Sequence, residues 1–236
     1  MSKIELKKRK PLDYRSNEAY KMLRTNIQFC GDDIKVISIT SCTPNEGKSI
    51  VSFNLAASFA ESGKKVILID ADLRKSVLAG RYKVGEIKSG LSHYLSGQGE
   101  FNEIVCETDI KNLNIVFAGS YSPNPAELLE HTRFHVMLEL LKETYDYIII
   151  DTPPLGSVID SAIVSSVADG AVLVIESNAI SYKFARNVKQ QLERSNCRIL
   201  GVILNKVDLE KNSYYGKYYG KYYGVYGQGS KQKVEE

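Results

Sequence analysis

Residues 35–49 read KVISITSCTPNEGKS, and this stretch decides the fold. Its first six residues, KVISIT, form an apolar, β-branched run of the length of a buried strand. The next seven (residues 41–47) are dominated by turn-forming Ser, Thr, Pro, Asn and Gly. From Lys48 to about Glu61 the apolar pattern predicts a helix, which Gly63 stops. Gly47-Lys48-Ser49 therefore lies between a strand and a helix, the context a phosphate-binding loop requires. Backbone N–H groups of residues 44–50 (Pro44, lacking one, then Asn45, Glu46, Gly47, Lys48, Ser49 and Ile50) would cradle phosphate oxygens, and the helix dipole adds to the attraction. Lys48 supplies a point charge to the β- and γ-phosphates of ATP, Ser49 a hydroxyl ligand to Mg²⁺, and Gly47 close backbone approach. The first Gly of G-x-x-x-x-G-K-S is replaced here by Cys42.

Working outward, residues 65–70 (KVILID), 113–118 (LNIVFA), 147–151 (YIIID), 171–176 (AVLVIE) and 199–205 (ILGVILN) are further apolar, β-branched runs. Helical patterns are predicted from Ser16 or Asn17 to about Phe29, around residues 90–96, from Asn124-Pro125 onward, and near 159–168 and 181–195. Strands buried on both faces and alternating with helices predict an α/β fold: three layers, with a mostly parallel central sheet and helices on both faces. Residues 1–15 and the polar stretch up to about 112 give little periodic signal. No boundary precedes about Asp208, so residues 1–208 are expected to form one domain.

Two of the strands end in acid. In an open parallel sheet the carboxyl ends of the strands line the ligand crevice. Asp151 has the position of a Walker B carboxylate, holding Mg²⁺ through water. Asp70, Asp72 and Arg74 form a D-x-D-x-R. Carboxylates crowded beside a triphosphate and a metal are costly unless each has a task.

The composition is that of a soluble globular protein, with 43% hydrophobic and 25% charged residues among 236. A net charge of +3 gives no argument for a nucleic-acid partner. The basic run Lys7-Lys8-Arg9-Lys10 reads as a solvated end or as an attraction to an anionic surface. The four cysteines show no metal or disulfide spacing, which suits a reducing cytosol. No apolar run approaches the roughly 18 residues of a spanning helix. Association with a membrane would therefore need a partner.

After Asp208 the composition changes. Residues 214–226 read YYGKYYGKYYGVY and hold seven of the fifteen tyrosines. Gly at every fourth place opposes a helix, and residues 209–236 are expected to be a mostly disordered tail. On its own, such a repeat suits a sticky linker, a base-stacking surface, an anchor or a phosphoacceptor cluster.

SCTPNEGKS, VILIDADLR and IIIDTPP resemble the Walker A, A′ and B motifs of bacterial tyrosine kinases of capsule and exopolysaccharide systems, a branch of the MinD/ParA-like P-loop ATPases. NEAYKMLRTNIQF (17–29), GLSHYLSGQ (90–98), PNPAELL (123–129), GVILNKV (201–207) and the Tyr-rich tail extend the likeness over nearly the whole chain. The resemblance implies an ATP- and Mg²⁺-dependent protein-tyrosine kinase. Its catalytic residues would be Lys48, Asp70, Asp72 and Asp151, with Asp70 as base and Ser49, Asp72 and Asp151 around the metal. Asn205 would meet the adenine. The acceptors would be Tyr214, Tyr215, Tyr218, Tyr219, Tyr222, Tyr223 and Tyr226, phosphorylated in trans. Glu18, Lys21 and Arg24 stand where the family has an E-x-x-R-x-x-R oligomerisation motif, implying a homo-oligomeric ring, although Lys21 lacks the bidentate fork of an Arg. Asn45 replaces a usual Gly, a change eased because Asn visits positive φ readily. The partners implied are a transmembrane chain-length regulator acting as activator through its cytoplasmic tail, and a phosphotyrosine phosphatase. The implied place is the cytoplasm, at the inner face of the plasma membrane. The alternative is a MinD/ParA-like positioning ATPase, against which Thr43 counts, since that branch carries a signature lysine there.

Overall fold

The computed structural model describes residues 2–208. In chain order the elements are β1 (Ser2–Lys3), α1 (Tyr14–Gln28), β2 (Val36–Ser41), α2 (Lys48–Glu61), β3 (Val66–Asp70), α3 (Leu78–Tyr82), α4 (Leu91–Leu95), α5 (Phe101–Ile104) and β4 (Val105–Glu107). They continue with β5 (Leu113–Val116), α6 (Pro125–Glu130), α7 (Thr132–Thr144), β6 (Tyr147–Asp151), α8 (Asp160–Ser166), β7 (Gly170–Glu176), α9 (Tyr182–Arg194) and β8 (Ile199–Asn205). The strands make one sheet in the order β1-β4-β5-β3-β6-β2-β7-β8, parallel throughout except where β4 meets β5.

Strand alternation sorts the core into two layers. Ile37 and Ile39 of β2, Val66 and Leu68 of β3, and Ile149 of β6 point to one face, where Val51, Leu55 and Phe59 of α2 cover them. Val36, Ile67, Ile69, Ile148 and Ile150 point to the other, against Phe134, Met137, Leu138 and Leu141 of α7 and Val164 of α8. The period of two in side-chain direction is what turns apolar runs into a sheet buried on both sides. Helix α2 is buried nearly all round, because α1 lies on its outer side. There Tyr20 accepts from Asn54 Nδ2 at 3.3 Å. A third cluster, with Val188 and Leu192 of α9 against Ala171 and Leu173 of β7, closes the far end.

Several boundaries differ from those predicted. Helix α1 starts earlier, since Asp13 caps it by accepting from Ser16 N at 2.9 Å. Its predicted apolar positions divide: Leu23 and Ile27 pack inward, while Ala19 and Met22 are exposed. The helix opened by Asn124-Pro125 is two helices, broken at His131, whose ring caps α7 by accepting from Arg133 N. The N-terminal stretch is not merely irregular. Its β1 pairs with β4, Leu6 is buried, and Arg9 of the basic run pairs with Glu61 at 2.5 Å. Strands of two or three residues are too short to carry a periodic signal.

Candidate active site

The register of the sheet gathers the acidic residues. On the neighbouring parallel strands β3 and β6, Asp70 lies opposite Asp151, and Asp151 in turn lies opposite Ile39 of β2, just before the phosphate loop. Adjacent residues in register share a face, so both carboxylates meet at the N-terminus of α2. Lys48 Nζ stands 3.3 Å from Asp72, 3.7 Å from Asp151 and 3.2 Å from Ser49 Oγ. Ser52 Oγ donates to Asp151 at 3.1 Å. Asp70 accepts from Ser76 Oγ at 2.5 Å and from Asp72 N at 3.2 Å. Lys48 is only 9% exposed and Asp70 is fully buried, so this is an interior cluster.

Burial shapes its electrostatics. Asp70 is pushed up to about 8, first by desolvation and then by the charge of Asp151. Asp151 is also raised by desolvation, with Lys48 opposing. Desolvation alone would lower Lys48, but the charges of Asp151, Asp72 and Asp70 outweigh it and hold its pKa above the ordinary value. With one ammonium among three carboxyl groups, negative charge is in excess even while Asp70 holds its proton. A buried excess of negative charge is what a bound cation would relieve.

The loop itself is braced from behind. Asn45 has φ 69 and Gly47 φ 94, both left-handed. The Glu46 side chain turns inward and accepts from Thr43 N at 2.7 Å and from Glu176 N at 3.2 Å. Its backbone carbonyl accepts from Asn205 Nδ2 at 2.8 Å. A Cβ on Gly47 would come within 2.2 Å of that same Nδ2. Cys42 is fully buried against α9 and its thiol is pushed up to about 12, chiefly by desolvation, so the first loop position serves the core.

A cleft of about 470 Å³ opens over the cluster, walled by Pro44, Asn45, Gly47, Lys48, Ser49, Ile50 and Asp72 among the predicted residues. Asp70, Asp151, Glu46 and Asn205 lie beneath or beside it. The sequence reading did not include Lys75, Arg81 and Lys206, which add positive charge to the cleft wall. Lone cations carry no motif, whether in a turn or, like Arg81, in a short helix, though Lys206 follows Asn205 directly. Arg74 grips Asp160 at the start of α8 through two hydrogen bonds, 2.7 and 3.0 Å, tying the turn after β3 to the segment after β6.

Residues Ser49, Asp72 and Asp151 offer oxygen donors of the kind Mg²⁺ takes, with few protein ligands and room for phosphate oxygens. Among the described residues no three His, Cys, Asp or Glu side chains make a self-sufficient cage. On α1, Glu18 and Lys21 pair with each other at 2.7 Å, and Arg24 donates to the carbonyl of Ser58 on α2 at 2.7 Å. Arg24 thus fastens α1 to its own chain. The tyrosines Tyr214 to Tyr226 lie outside the described residues.

The model of a family described as "AAA domain" matches residues 34–200. The tyrosine-protein kinase CpsD of Streptococcus agalactiae is 44% identical over 208 residues, covering 86% of this chain and 91% of that protein. The tyrosine-protein kinase YwqD of Bacillus subtilis is 40% identical over 203 residues, 85% of each. Among solved structures, the kinase domain of the Escherichia coli tyrosine kinase ETK superposes with a TM-score of 0.77 at 35% identity, covering 81% of this chain and 75% of that one. MinD of Pyrococcus horikoshii, complexed with Mg-ADP, gives 0.64 at 25%, covering 74% and 71%.

Proposed function

The chain belongs to the bacterial tyrosine-protein kinases within the AAA-domain P-loop proteins, and on that premise we propose that it phosphorylates its own C-terminal tyrosine cluster in trans. The observation that carries this reading is the convergence of Asp70, Asp72 and Asp151 on Lys48 at the foot of the cleft. Lys48 and the N-terminal amides of α2 would hold the β- and γ-phosphates of ATP. Mg²⁺, held from Ser49, Asp72 and Asp151, would supply charge neutralisation at the transferring phosphoryl group. Asp70 would serve as base. Its raised pKa suits a group that must take a proton near neutral pH. A tyrosine hydroxyl would reach it by displacing the Ser76 hydroxyl that now covers it. Arg74, through Asp160, would keep the 72–77 turn in place during that approach.

Among the described residues no helix is long and apolar enough to cross a membrane. The proposal also includes a separate transmembrane activator whose cytoplasmic tail recruits the kinase to the inner membrane face, a phosphotyrosine phosphatase that resets it, and control of capsular or exopolysaccharide synthesis and export. It also includes a ring of copies, with the α1 face near Glu18 and Lys21 as the contact. Since Arg24 is engaged within its own chain, the ring would rest more on Met22 and its neighbours than on that cation.

The test is a version with Tyr214, Tyr215, Tyr218, Tyr219, Tyr222, Tyr223 and Tyr226 all changed to Phe. Incubated with Mg-ATP, with and without the activator's tail, it should lose most phosphotyrosine by mass mapping and keep ATP hydrolysis. Undiminished labelling would place the acceptors elsewhere and sink the proposal.

A further inference from the structure

The cleft holds more positive charge than its acidic partners take up. Lys48 is engaged by Asp72 and Asp151, and Arg74 by Asp160. Lys206 Nζ is held by Glu176 at 2.8 Å and donates to the carbonyl of Asn45 at 2.7 Å. Lys75 and Arg81 line the same cleft and are exposed, and no carboxylate among the described residues pairs with either.

Both stand on the Asp70 side of the cleft. The Lys75 amide donates to Asp72 at 2.9 Å, and the next residue, Ser76, donates to Asp70. Val77 follows in the cleft wall, 41% exposed, and caps α3, where the Arg81 amide donates back to the Val77 carbonyl at 2.9 Å. In the chain, two cations thus bracket an exposed apolar side chain beside the residue that covers Asp70. An aryl phosphate suits this set: a flat ring for Val77, and a dianion for Lys75 and the forked guanidinium of Arg81.

The acceptor tail supplies that group once it is modified. Within residues 214–226 every tyrosine has another four residues away. Four residues of extended chain span about 13–14 Å, and an even spacing turns both side chains to one side. With one tyrosine at Asp70, its counterpart in the repeat faces the same wall. Before modification the repeat offers Lys217 and Lys221, which Lys75 and Arg81 repel. Each phosphate adds about −1.5 to −2 charge and reverses that repulsion.

We infer that Lys75, Val77 and Arg81 form a phosphotyrosine subsite, which holds one modified tyrosine of the tail while the tyrosine four residues away is phosphorylated. The inference rests on the tail-phosphorylation reading above and adds an order to it, in which the first phosphate eases the next transfer. The chemistry of transfer is unaltered. The bond from the γ-phosphorus to the β–γ bridging oxygen breaks, one to the tyrosine oxygen forms, the hydroxyl proton passes to Asp70, and ADP leaves.

The test uses the full chain with its seven tail tyrosines changed to Phe, given Mg-ATP with and without the activator's tail, acting on peptides of residues 212–228. In each peptide Tyr218 is the one acceptor and the other tyrosines are Phe, except that primed peptides carry phosphotyrosine at position 214 or at position 222. At least one primed peptide should show a KM about tenfold below the unprimed one with kcat little changed, the signature of binding made equally in ground and transition states. Lys75→Gln combined with Arg81→Gln should erase that difference and move the KM of the unprimed peptide by less than about threefold, as expected for exposed charges. Both side chains are exposed, so the fold should hold, and ADP affinity reports on it. Equal KM for primed and unprimed peptides, a priming gain that survives the double variant, or a double variant weakened for ADP as well, would overturn the subsite and leave tail phosphorylation standing. No phosphate on any peptide would overturn both.

Discussion

Replacing Asp70 by Asn should make the metal-free protein more stable while destroying its activity. Asp70 is fully buried and pushed from the ordinary 3.8 to about 8. The folded protein therefore keeps a proton that the unfolded chain releases above pH 3.8. Stability falls as the pH rises through that window and levels off above it. At pH 7 about three units of the window have been crossed, which at 1.36 kcal/mol per unit is about 4 kcal/mol. Asn keeps the shape, accepts from the Asp72 amide and donates to Ser76 Oγ, so about 2–4 kcal/mol of that cost should be recovered. For a chain of this size the gain corresponds to a rise in Tm of about 4–16 °C. The assay is thermal unfolding in EDTA from pH 4.5 to 8, with phosphotyrosine yield measured in parallel. The two Tm curves should converge at the acid end, where both side chains are neutral. Transfer should fall by about 10²–10⁴-fold, the usual contribution of a general base. A variant no more stable than the parent at pH 7.5, or one whose gain does not shrink toward pH 4.5, would refute the account of a strained buried carboxylate.

Lys48→Met should abolish tyrosine phosphorylation and, because it leaves the buried carboxylates of Asp72 and Asp151 without their cation, also cost about 3–5 kcal/mol at pH 7.5 by urea unfolding; a cost that does not diminish toward pH 4.5 would count against that cause. Gly47→Ala should weaken ADP binding and lower Tm, since φ 94 is strained for Ala and its Cβ would displace Asn205; an unchanged calorimetric titration would refute the tight fit of the loop against Asn205. Residues 210–236 hold five Lys and three Glu, and full modification of seven tyrosines adds roughly −10 to −14 charges. Rings should therefore dissociate on exhaustive phosphorylation at low salt, where screening is weakest; light scattering that finds an unchanged mass would dismiss the electrostatic switch.

Much of this protein is written locally. KVISIT followed by a Gly-Lys-Ser turn and an apolar helix defined β2, the loop and α2, because a buried parallel strand and a fully covered helix are continuous apolar runs legible without partners. Asp70 and Asp151 stood out because each closes such a run, and Asn45 fitted its left-handed position as its residue type suggests. What the sequence could not contain was the lateral order of strands. Only the insertion of β6 between β2 and β3 sets Asp70 opposite Asp151 and brings both to Lys48. Only that burial raises Asp70 and makes Lys48 an interior ion, where a loop position alone suggests an exposed one. The same holds for Arg24, which motif spacing assigns to a neighbouring copy and tertiary packing ties to Ser58. It holds too for Lys206, whose role depends on β8 ending beside a loop some 160 residues earlier in the chain. Local chemistry fixes which residues can form a strand, turn or cap. Coulomb and desolvation energies depend on which distant residues become neighbours, and that is decided by the sheet.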